Sequence, residues 1–407
     1  MIDTEVAELI GREEERQKET ITLIPSENYA SAAVREAVGS VLSNKYAEGY
    51  PGRRYYQGNG IIDEIENLAI ERTKRLFGVP HANVQPYSGS PANAAVLLAL
   101  VGPGEKVMGM KLAAGGHLTH GHSVSFSGRF FPAVQYDVDE NGLVDYGEME
   151  KMALVEKPKL LVVGATAYPR IFDWQRVGEI GNKTGAYILA DISHIAGLVA
   201  AGEHPSPVPF VDVVMTTTHK TLRGPRGAVL LVTEKGLAKD ADLAKKIDKA
   251  VFPGMQGGPH ENVVAGIAMA MAEAATPEFR QYAKQVVKNA RELAAGLMKL
   301  GYKITTGGTD NHLMLIDLVD KGLTGKEAAV ALEEAGIVTN ANAIPHDPNP
   351  PLKPSGLRVG TPAVTTRGMK EPEMKLIAEL MERALRGEKE QVRAEVKKLG
   401  MKFPVPG

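Results

Sequence analysis

The sequence predicts an α/β protein with a mostly parallel sheet and a second, smaller α+β domain. Between Lys106 and Val163, short apolar segments alternate with helical ones, which is typical of a parallel sheet covered by helices. Two further apolar runs, Ala186–Ala190 and Val211–Met215, each end abruptly in polar residues. After Lys239 the helical patterns dominate. We therefore expect a large α/β domain followed by a smaller one.

The overall composition excludes several classes of function. The chain has 407 residues, of which 43% are hydrophobic and 24% charged, as in ordinary globular proteins. A net charge of −2 gives no electrostatic reason to expect nucleic acid or an acidic membrane as partner. The absence of cysteine excludes disulfides and thiolate-bound metals. The N-terminus lacks the apolar core of a signal peptide, and the most apolar run, Ala94–Val101, is too short to cross a bilayer, so we expect a cytoplasmic protein.

The N-terminal region is predicted to contain two helices and one aromatic loop. Met1–Glu19 is typical of a solvated first helix, although a docking arm is an alternative. Pro25 and Ser26 are expected to begin a second helix. Asn44–Gly60 contains four tyrosines, a glutamate and two arginines, and it fits neither helix nor strand. So aromatic a loop is better explained by a ligand or by another subunit than as ordinary surface.

The next segments predict a helix that presents its first turn to an anion. Ile61–Phe77 has the apolar spacing of an amphipathic helix, and a short strand, Ala82–Gln85, follows it. Ser88–Asn93 then opens a further helix, Ala92–Val101. Small hydroxyl and glycine residues at a helix start leave N–H groups open to an anion, which favours a phosphate cradle. Any capped helix has a similar start, so this signal is weak by itself.

Two histidines lie three residues apart within Gly115–Gly121. Metal binding is one interpretation of His117 and His120. No third ligand follows at a recognised spacing, which disfavours a metal site.

Lys220 and Asp191 each lie at the end of an apolar run and form the most informative pair. Lysine is among the residues least often buried unless it is paired. Ligands of open α/β sheets bind outside the carboxyl ends of the strands, so both side chains are expected in one crevice. Pyridoxal phosphate needs an imine-forming lysine, an acid beside its ring nitrogen and a phosphate cup. Taken singly, Asp191 could cap a helix and Lys220 could be a solvated loop residue, but the pair favours this cofactor.

The C-terminal part is predicted to be mainly helical, with the domain boundary between residues 270 and 280. The predicted domains are residues 1–60 as an N-terminal arm and loop, 61–275 as the cofactor-binding domain and 276–407 as the small domain. The predicted elements of the last part are helices over Glu261–Leu300, a strand Leu313–Leu318, a helix Thr324–Gly336, a strand edge with Arg358 in Leu357–Ala363, and one helix Glu371–Lys398.

Eight motifs, found in the family's order, resemble serine hydroxymethyltransferase. They are L-I-P-S-E-N-Y, Y-A-E-G-Y-P-G-R-R-Y-Y, S-G-S-P-A-N, G-G-H-L-T-H-G, D-I-S-H-I-A-G-L, T-T-T-H-K-T-L-R-G-P-R-G, Q-G-G-P and L-R-V-G-T-P-A. The resemblance implies a fold type I pyridoxal-phosphate enzyme of the aspartate-aminotransferase fold, active as a homodimer with shared sites. It implies the interconversion of L-serine and glycine through an external aldimine and a quinonoid, with transfer of the hydroxymethyl group to tetrahydrofolate.

The resemblance also implies roles for individual residues. Lys220 would form the imine with pyridoxal phosphate, Asp191 would bind its ring nitrogen, and Glu48 would handle protons, with His117 and Tyr56 as further catalytic residues. The other implied cofactor contacts are Ser88, Gly89, Ser90, Thr166, His194 and His219, together with Gly257 and Gly258 from the other subunit. The implied substrate contacts are Ser26, Tyr46, Glu48, Tyr55, Tyr56 and Arg358. The implied folate contacts are Gly116, Leu118 and Asn342.

Two rival interpretations remain at the sequence level. A threonine aldolase or an aminotransferase of the same fold would share Asp191, Lys220 and Arg358, but would not be expected to carry the tyrosine–glutamate loop, Asn44–Gly60. A non-catalytic relative would usually have lost the lysine or the aspartate. Pro91 and Ala341 depart from the family's usual residues, and the sequence leaves open whether the carrier is tetrahydrofolate or a methanopterin and whether the assembly is a dimer or a tetramer.

Overall fold

The computed structural model describes residues 4–406, which divide into two compact units. The large unit is Ala30–Ala283, and the small unit joins the described residues up to Tyr29 with those from Lys284 onward. This division differs from the predicted domain ranges, because the first helix belongs to the small unit and the aromatic loop to the large one. Positions 1–3 of the predicted first helix lie outside the described residues.

Helices make up much of both units, and none within residues 4–406 is long and apolar enough to span a membrane. The α-helices are α1 Thr4–Glu19, α2 Ala32–Val38, α3 Gly60–Phe77, α4 Gly89–Leu100, α5 Phe126–Phe130, α6 Tyr146–Glu156, α7 Trp174–Thr184, α8 Ala196–Ala201, α9 Glu234–Lys239, α10 Leu243–Lys249, α11 Glu261–Ala274, α12 Pro277–Lys299, α13 Gly325–Glu334, α14 Pro362–Thr366, α15 Glu371–Leu385 and α16 Lys389–Lys402. The strands are β1 Ile21–Thr22, β2 Gly49–Tyr50, β3 Arg53–Arg54, β4 His81–Asn83, β5 Val107–Met110, β6 Ala133–Tyr136, β7 Leu160–Gly164, β8 Tyr187–Asp191, β9 Val213–Thr217, β10 Ala228–Val232, β11 Lys303–Ile304, β12 Leu313–Asp317, β13 Ile337–Val338, β14 Asn340–Asn342 and β15 Gly356–Gly360.

The large unit is built on a seven-stranded sheet of order β4-β10-β9-β8-β7-β5-β6. Its pairs from β6 to β9 are parallel, whereas β10 is antiparallel to both β9 and β4. The predicted mostly parallel sheet is therefore confirmed. β7 has the predicted bounds, and β8 extends through Asp191, which is thus the last residue of the strand and does not follow it.

Both faces of this sheet are buried, as is usual when helices cover a parallel sheet. Leu160 and Val162 of β7 pack in a cluster with residues of α4 and α10. Leu161 and Val163, which point to the other face, are also inaccessible to solvent. The strands read as continuous apolar runs for this reason, and their polar residues are found at the ends.

The small unit has an antiparallel sheet of order β11-β12-β15-β14, and β1 pairs with β13 in parallel. β12 and α13 agree with the predicted strand and helix, with Thr324 capping the helix through a capping box. Arg358 lies on β15, between β12 and β14. The prediction that it lies on a strand edge is therefore wrong.

Two other predictions of secondary structure are wrong. No helix begins at Pro25 or Ser26; α2 begins at Ala32, and the Ser31 hydroxyl accepts the N-cap hydrogen bond from the Val34 N–H. Pairing of β1 with a distant strand fixes the chain just before Pro25 in an extended form. The predicted C-terminal helix is in fact α15 and α16, because the chain between them passes through Gly387 at a φ of 102°.

The buried side chain of Arg367 joins the ends of α1 and α16. Its guanidinium donates hydrogen bonds to carbonyl groups at both helix ends, including Thr20 at 2.6 Å, Gly400 at 2.7 Å and Phe403 at 2.6 Å. Replacing Arg367 by Met would leave these carbonyls without a donor. We predict that Arg367→Met lowers the free energy of unfolding by about 2–4 kcal/mol in urea titrations.

The control for this prediction is Arg383→Met. Arg383 forms ion pairs with Glu388 and Glu395, and the side chains of all three residues are at least one-third exposed. Such surface pairs contribute up to about 1 kcal/mol. Equal losses in the free energy of unfolding for the two variants would contradict the conclusion that Arg367 stabilises the protein by joining α1 and α16.

Candidate active site

A cavity of about 160 Å³ lies at the carboxyl ends of β7, β8 and β9. This is where ligands bind in open α/β sheets. The predicted site residues that line it are Ser88, Gly89, Ser90, His117, Thr166, Asp191, His194, His219 and Lys220. The cavity is also lined by residues that were not predicted as part of the site, including Asn93, His120, Ser193, Thr217 and Arg226.

Lys220 lies in a loop held by threonine hydroxyls. Its Nζ donates to Oγ1 of Thr217, the last residue of β9, over 2.8 Å. The hydroxyl of Thr218 donates to the Pro225 carbonyl at 2.6 Å, and the Gly224 N–H donates to the Thr218 carbonyl at 2.7 Å. These bonds close the loop on itself, so the amine is held half-buried at the strand end.

Asp191 is buried, with 8% of its surface exposed, and four donors satisfy its carboxylate. Asn93 Nδ2 and His120 Nε2 each donate to Oδ2 at 3.0 Å, while the N–H and hydroxyl of Ser193 donate to Oδ1 at 3.1 and 2.6 Å. Burial raises the pKa of Asp191, but the hydrogen bonds from His120 and Ser193 outweigh it and hold the pKa well below its usual range. The side chain is therefore a stable anion.

His120, like Asn93 and Ser193, is a functional residue that was not predicted from the sequence. Its Nδ1 accepts from the His117 N–H at 3.3 Å, which leaves the proton on Nε2, facing Asp191. The second histidine of G-G-H-L-T-H-G is the signal that could have identified it. Its spacing from His117 points by itself only to a possible pair of metal ligands. Its hydrogen bonds therefore define His120 as a donor to the aspartate.

His117 is held as a neutral ring by a chain of hydrogen bonds. Asn93 Nδ2 donates to Thr119 Oγ1 at 2.9 Å, and this hydroxyl lies 2.7 Å from His117 Nδ1, to which the Thr119 N–H also donates. Nδ1 is thus the acceptor. Burial, together with the nearby charge of Lys220, lowers the pKa of His117 to about 4 against the opposing effect of Asp191.

The start of α4 and His219 form a cradle for an anion. α4 begins at Gly89, and the side chain of its N-cap residue, Ser88, makes no capping hydrogen bond. A Cβ on Gly89 would lie 2.8 Å from the methyl group of Thr217, so the turn needs glycine. Within residues 4–406 the buried His219 Nδ1 has no hydrogen-bond partner. A ligand with phosphate oxygens fits this combination of helix N-terminus, hydroxyl groups and one unsatisfied ring nitrogen.

The tyrosine–glutamate loop forms a separate cluster with the segment that contains Gly257 and Gly258. A Cβ on Gly257 would lie 3.1 Å from Glu48 Oε1, and one on Gly258 would lie 3.4 Å from the Tyr46 ring. Tyr46 and Tyr56 pack edge to face with their ring centroids 5.0 Å apart, and both are exposed. The third tyrosine, Tyr55, packs on Phe252 and is also exposed. The structure therefore does not bring these predicted residues to the lining of the cavity.

Gly116 and Leu118 flank His117. The Thr166 hydroxyl donates to the Gly116 carbonyl at 3.1 Å, which links this turn to the segment after β7. A Cβ on Gly116 would lie 2.2 Å from the Met110 carbonyl oxygen, so the backbone needs glycine here. Leu118 is 41% exposed.

The remaining predicted residues, Ser26, Asn342 and Arg358, belong to the small unit. Arg358 Nε donates to Asn340 Oδ1 at 3.1 Å, across the pair β14 and β15. Burial lowers the pKa of Arg358 to about 10, so the guanidinium remains charged at neutral pH. Asn342 donates to the Ala343 carbonyl at 2.7 Å, and Ser26 lies in the turn after β1.

A mostly parallel sheet whose edge carries a held lysine, an ionised aspartate and an anion cradle is the arrangement of fold type I pyridoxal-phosphate enzymes. Comparison with known families identifies which of these enzymes the chain resembles. Residues 1–381 match the family model described as serine hydroxymethyltransferase, and the chain belongs to that family. The predicted family and fold class are confirmed. The family depends on pyridoxal phosphate and transfers a one-carbon group between serine and tetrahydrofolate.

Curated relatives cover essentially the same length. The serine hydroxymethyltransferase of Desulfotalea psychrophila is 53% identical over 410 residues, covering all of this chain and 95% of that protein. The serine hydroxymethyltransferase of Acidothermus cellulolyticus is 54% identical over 417 residues, covering 100% and 96% respectively. That of Legionella pneumophila is 57% identical over 370 residues, covering 91% and 88%.

Two of the histidines that line the cavity, His117 and His219, are predicted to be neutral at pH 7 in the cofactor-free protein. Burial lowers the pKa of His219 to about 3, reinforced by the charges of Lys220 and Arg226. In an NMR titration the ring signals of His117 should move near pH 4 and those of His219 near pH 3, with His117→Asn and His219→Asn identifying the signals.

The same shifts predict how stability depends on pH. As the pH falls, a histidine whose pKa is lowered by folding is protonated in the unfolded chain before it is protonated in the folded protein, which favours the unfolded state. The contribution of His117 to the free energy of unfolding should therefore be complete above pH 6.5 and be lost as the pH falls to about 4. A His117 signal that titrates near pH 6.5 would contradict the buried, neutral assignment.

Proposed function

We propose that Lys220 and Asp191 carry out in this chain the reaction of its family, the reversible interconversion of L-serine and glycine with formation of 5,10-methylenetetrahydrofolate. The observation that carries the proposal is the ionised Asp191, buried in the same cavity as Lys220 and the anion cradle. A buried carboxylate with four donors is costly to build for stability alone. Beside a pyridine nitrogen, it would keep that nitrogen protonated.

The residues of the cavity fit pyridoxal phosphate. When bound, this cofactor supplies an aldehyde that bonds covalently to an amine and a ring that accepts the electrons released at the substrate's α-carbon. Lys220 would hold the aldehyde carbon, and Asp191 the ring nitrogen. His117 would stack on the cofactor ring. His194 would form a hydrogen bond on the side of the ring that carries the phenolic oxygen. The phosphate would be held by Ser88, Gly89, Ser90 and His219, with Thr166 as a further cofactor contact.

The chain's own groups are arranged to manage protons. Neutral His117 can cover the ring without adding a positive charge beside Lys220. The hydroxyl of Thr217 accepts from the Lys220 amine and so can orient it. Glu48, which would donate or accept the proton of the hydroxymethyl group, projects toward Gly257.

We further propose that the protein is a homodimer in which the tyrosine–glutamate loop serves the cavity of the second copy. Exposure of Tyr46, Tyr55 and Tyr56 supports this proposal, since large exposed aromatic side chains favour an interface. Gly257 and Gly258 cluster with the same loop and would complete the second copy's phosphate site. Ser26 and Arg358 are proposed to bind the substrate carboxylate, and Gly116, Leu118 and Asn342 the pterin. We also propose a cytoplasmic location.

The decisive test of function is serine–glycine exchange measured with tetrahydrofolate, with a methanopterin carrier and without any carrier. Exchange that requires tetrahydrofolate supports the proposal. Cleavage of β-hydroxy amino acids that is independent of the carrier would instead favour an aldolase.

Lys220 is predicted to be the residue that carries the cofactor. Borohydride reduction of the yellow holoprotein should tag the peptide that contains Lys220, and Lys220→Gln should abolish the tag, because an amide cannot form the imine. The control is Lys245→Gln, which removes a lysine whose side chain is 84% exposed. A tag that persists in Lys220→Gln would contradict the assignment.

Glu48 is predicted to act in proton transfer and not in cofactor binding. Glu48→Gln should lower the folate-dependent turnover by about 10²–10⁴-fold, the usual contribution of a general acid or base, while the cofactor absorbance is unchanged. Glu36→Gln, which alters an exposed glutamate on α2, should retain full activity. Loss of the cofactor in Glu48→Gln would refute the role.

A further inference from the structure

Three carboxyl groups, two of them buried, surround Arg54 of the tyrosine–glutamate loop. Arg54 Nη2 lies 2.6 Å from Glu66 and 3.7 Å from Glu261, and its Nε donates to Asp63 at 2.8 Å. The side chains of Arg54, Glu66 and Glu261 are 4%, 1% and 0% exposed, whereas Asp63 is 23% exposed. Three acids thus face one cation in a nearly dry environment.

The three acids are not equally satisfied. Asp63 accepts from Arg54 and from the Gly52 N–H, and Glu66 accepts from Arg54 and, at 2.8 Å, from Gln85 Nε2. Within residues 4–406 neither carboxyl oxygen of Glu261 accepts a hydrogen bond. A buried carboxylate without a donor is strongly disfavoured, so a proton is the ligand that this position lacks.

The electrostatics of the neighbouring groups agree with a shared proton. Burial, then the charge of Glu66 and a hydrogen bond to it, raise the pKa of Glu261 to about 8, with Arg54 opposing, and burial also raises the pKa of Glu66. The pKa of Tyr50 is raised by burial and by Asp248, so this neighbour is neutral and adds no charge. On α2, which also packs on α11, the charged residues Arg35 and Glu36 are exposed to solvent.

The cluster holds the backbone on both sides of Glu48. Arg54 Nη1 donates to the carbonyl groups of Ala47 at 2.7 Å and Gly49 at 3.0 Å, and Gln85 Nε2 donates to Gly49 at 2.9 Å. Gly49 has a φ of 100°, and a Cβ there would lie 2.3 Å from the Arg53 carbonyl oxygen. The direction of the Glu48 side chain therefore depends on where Arg54 lies.

We propose that Glu66 and Glu261 share one proton, and that loss of this proton draws Arg54 away from Ala47 and Gly49 and misplaces Glu48. A second buried negative charge would compete for Arg54 and would admit water between α3 and α11. Glu66 and Glu261 are then positioning residues for the transfer step. This inference rests on the proposed role of Glu48, and it makes the reaction sensitive to alkaline pH.

The test is the pH profile of folate-dependent turnover in the holoenzyme. In the wild type, turnover should fall about tenfold per pH unit above a midpoint near 8, as expected when one proton is essential. Glu261→Gln keeps the shape and the single negative charge of the pair but has no shared proton to lose, so its turnover should change by less than about twofold over the same range. The matched control, Glu64→Gln, alters an exposed acid on α3 and should keep the wild-type profile.

Infrared difference spectroscopy supplies a readout that does not depend on activity. The wild type and Glu64→Gln should show a protonated carboxyl band at pH 7 that disappears near pH 8, and Glu261→Gln should lack this band. The proposal is overturned if Glu261→Gln keeps the wild-type alkaline fall in turnover or if no such band exists. An enzyme inactive at every pH but with the band would refute the proposed function and leave the shared proton established. If Glu261→Gln does not fold, Glu66→Gln and the wild-type spectrum provide the same comparison.

Discussion

The buried charge of Asp191 is the constraint on which the active site depends. A carboxylate in this position costs several kcal/mol unless donors replace the water that it loses. The donors come from three separate segments, with Asn93 on α4, His120 in the turn after β5 and Ser193 after β8. Each segment also lines the cavity. Satisfying one carboxylate therefore fixes the anion cradle, the histidine turn and the strand ends in a single arrangement.

The fold was predictable where local pattern and tertiary structure agree. β7 was predicted with its observed bounds because a strand buried on both faces is a continuous apolar run. The helix expected at Ser26 failed because capping signals are local, whereas β1 is fixed by pairing with β13, more than three hundred residues away. The last helix was predicted as one because its charged periodicity continues through Gly387, whose left-handed backbone is visible only in three dimensions.

Within the site, the predictable residues were those whose position in a strand already defines their role. Asp191 and Lys220 end or follow core strands, and polar residues at such positions indicate a ligand site. The contact of His120 with Asp191 depends on the geometry of a turn, and spacing alone did not contain it. The neighbourhood of Glu48 and Gly257 was likewise outside the reach of local pattern, since the two residues are far apart in the sequence.

Two buried acidic residues of the large unit, Asp191 and Glu261, show why depth alone does not decide ionisation. Asp191 and Glu261 are both nearly inaccessible, and burial by itself raises the pKa of each. Asp191 has four donors and stays ionised, whereas neither carboxyl oxygen of Glu261 accepts a hydrogen bond within residues 4–406, and its pKa is raised to about 8. The difference follows from the free energy of charge in a dry medium, where each hydrogen bond to the anion replaces part of the lost hydration. The same residue class can thus form a permanent anion at the cavity and a group with a raised pKa beside Arg54, because the surrounding donors differ.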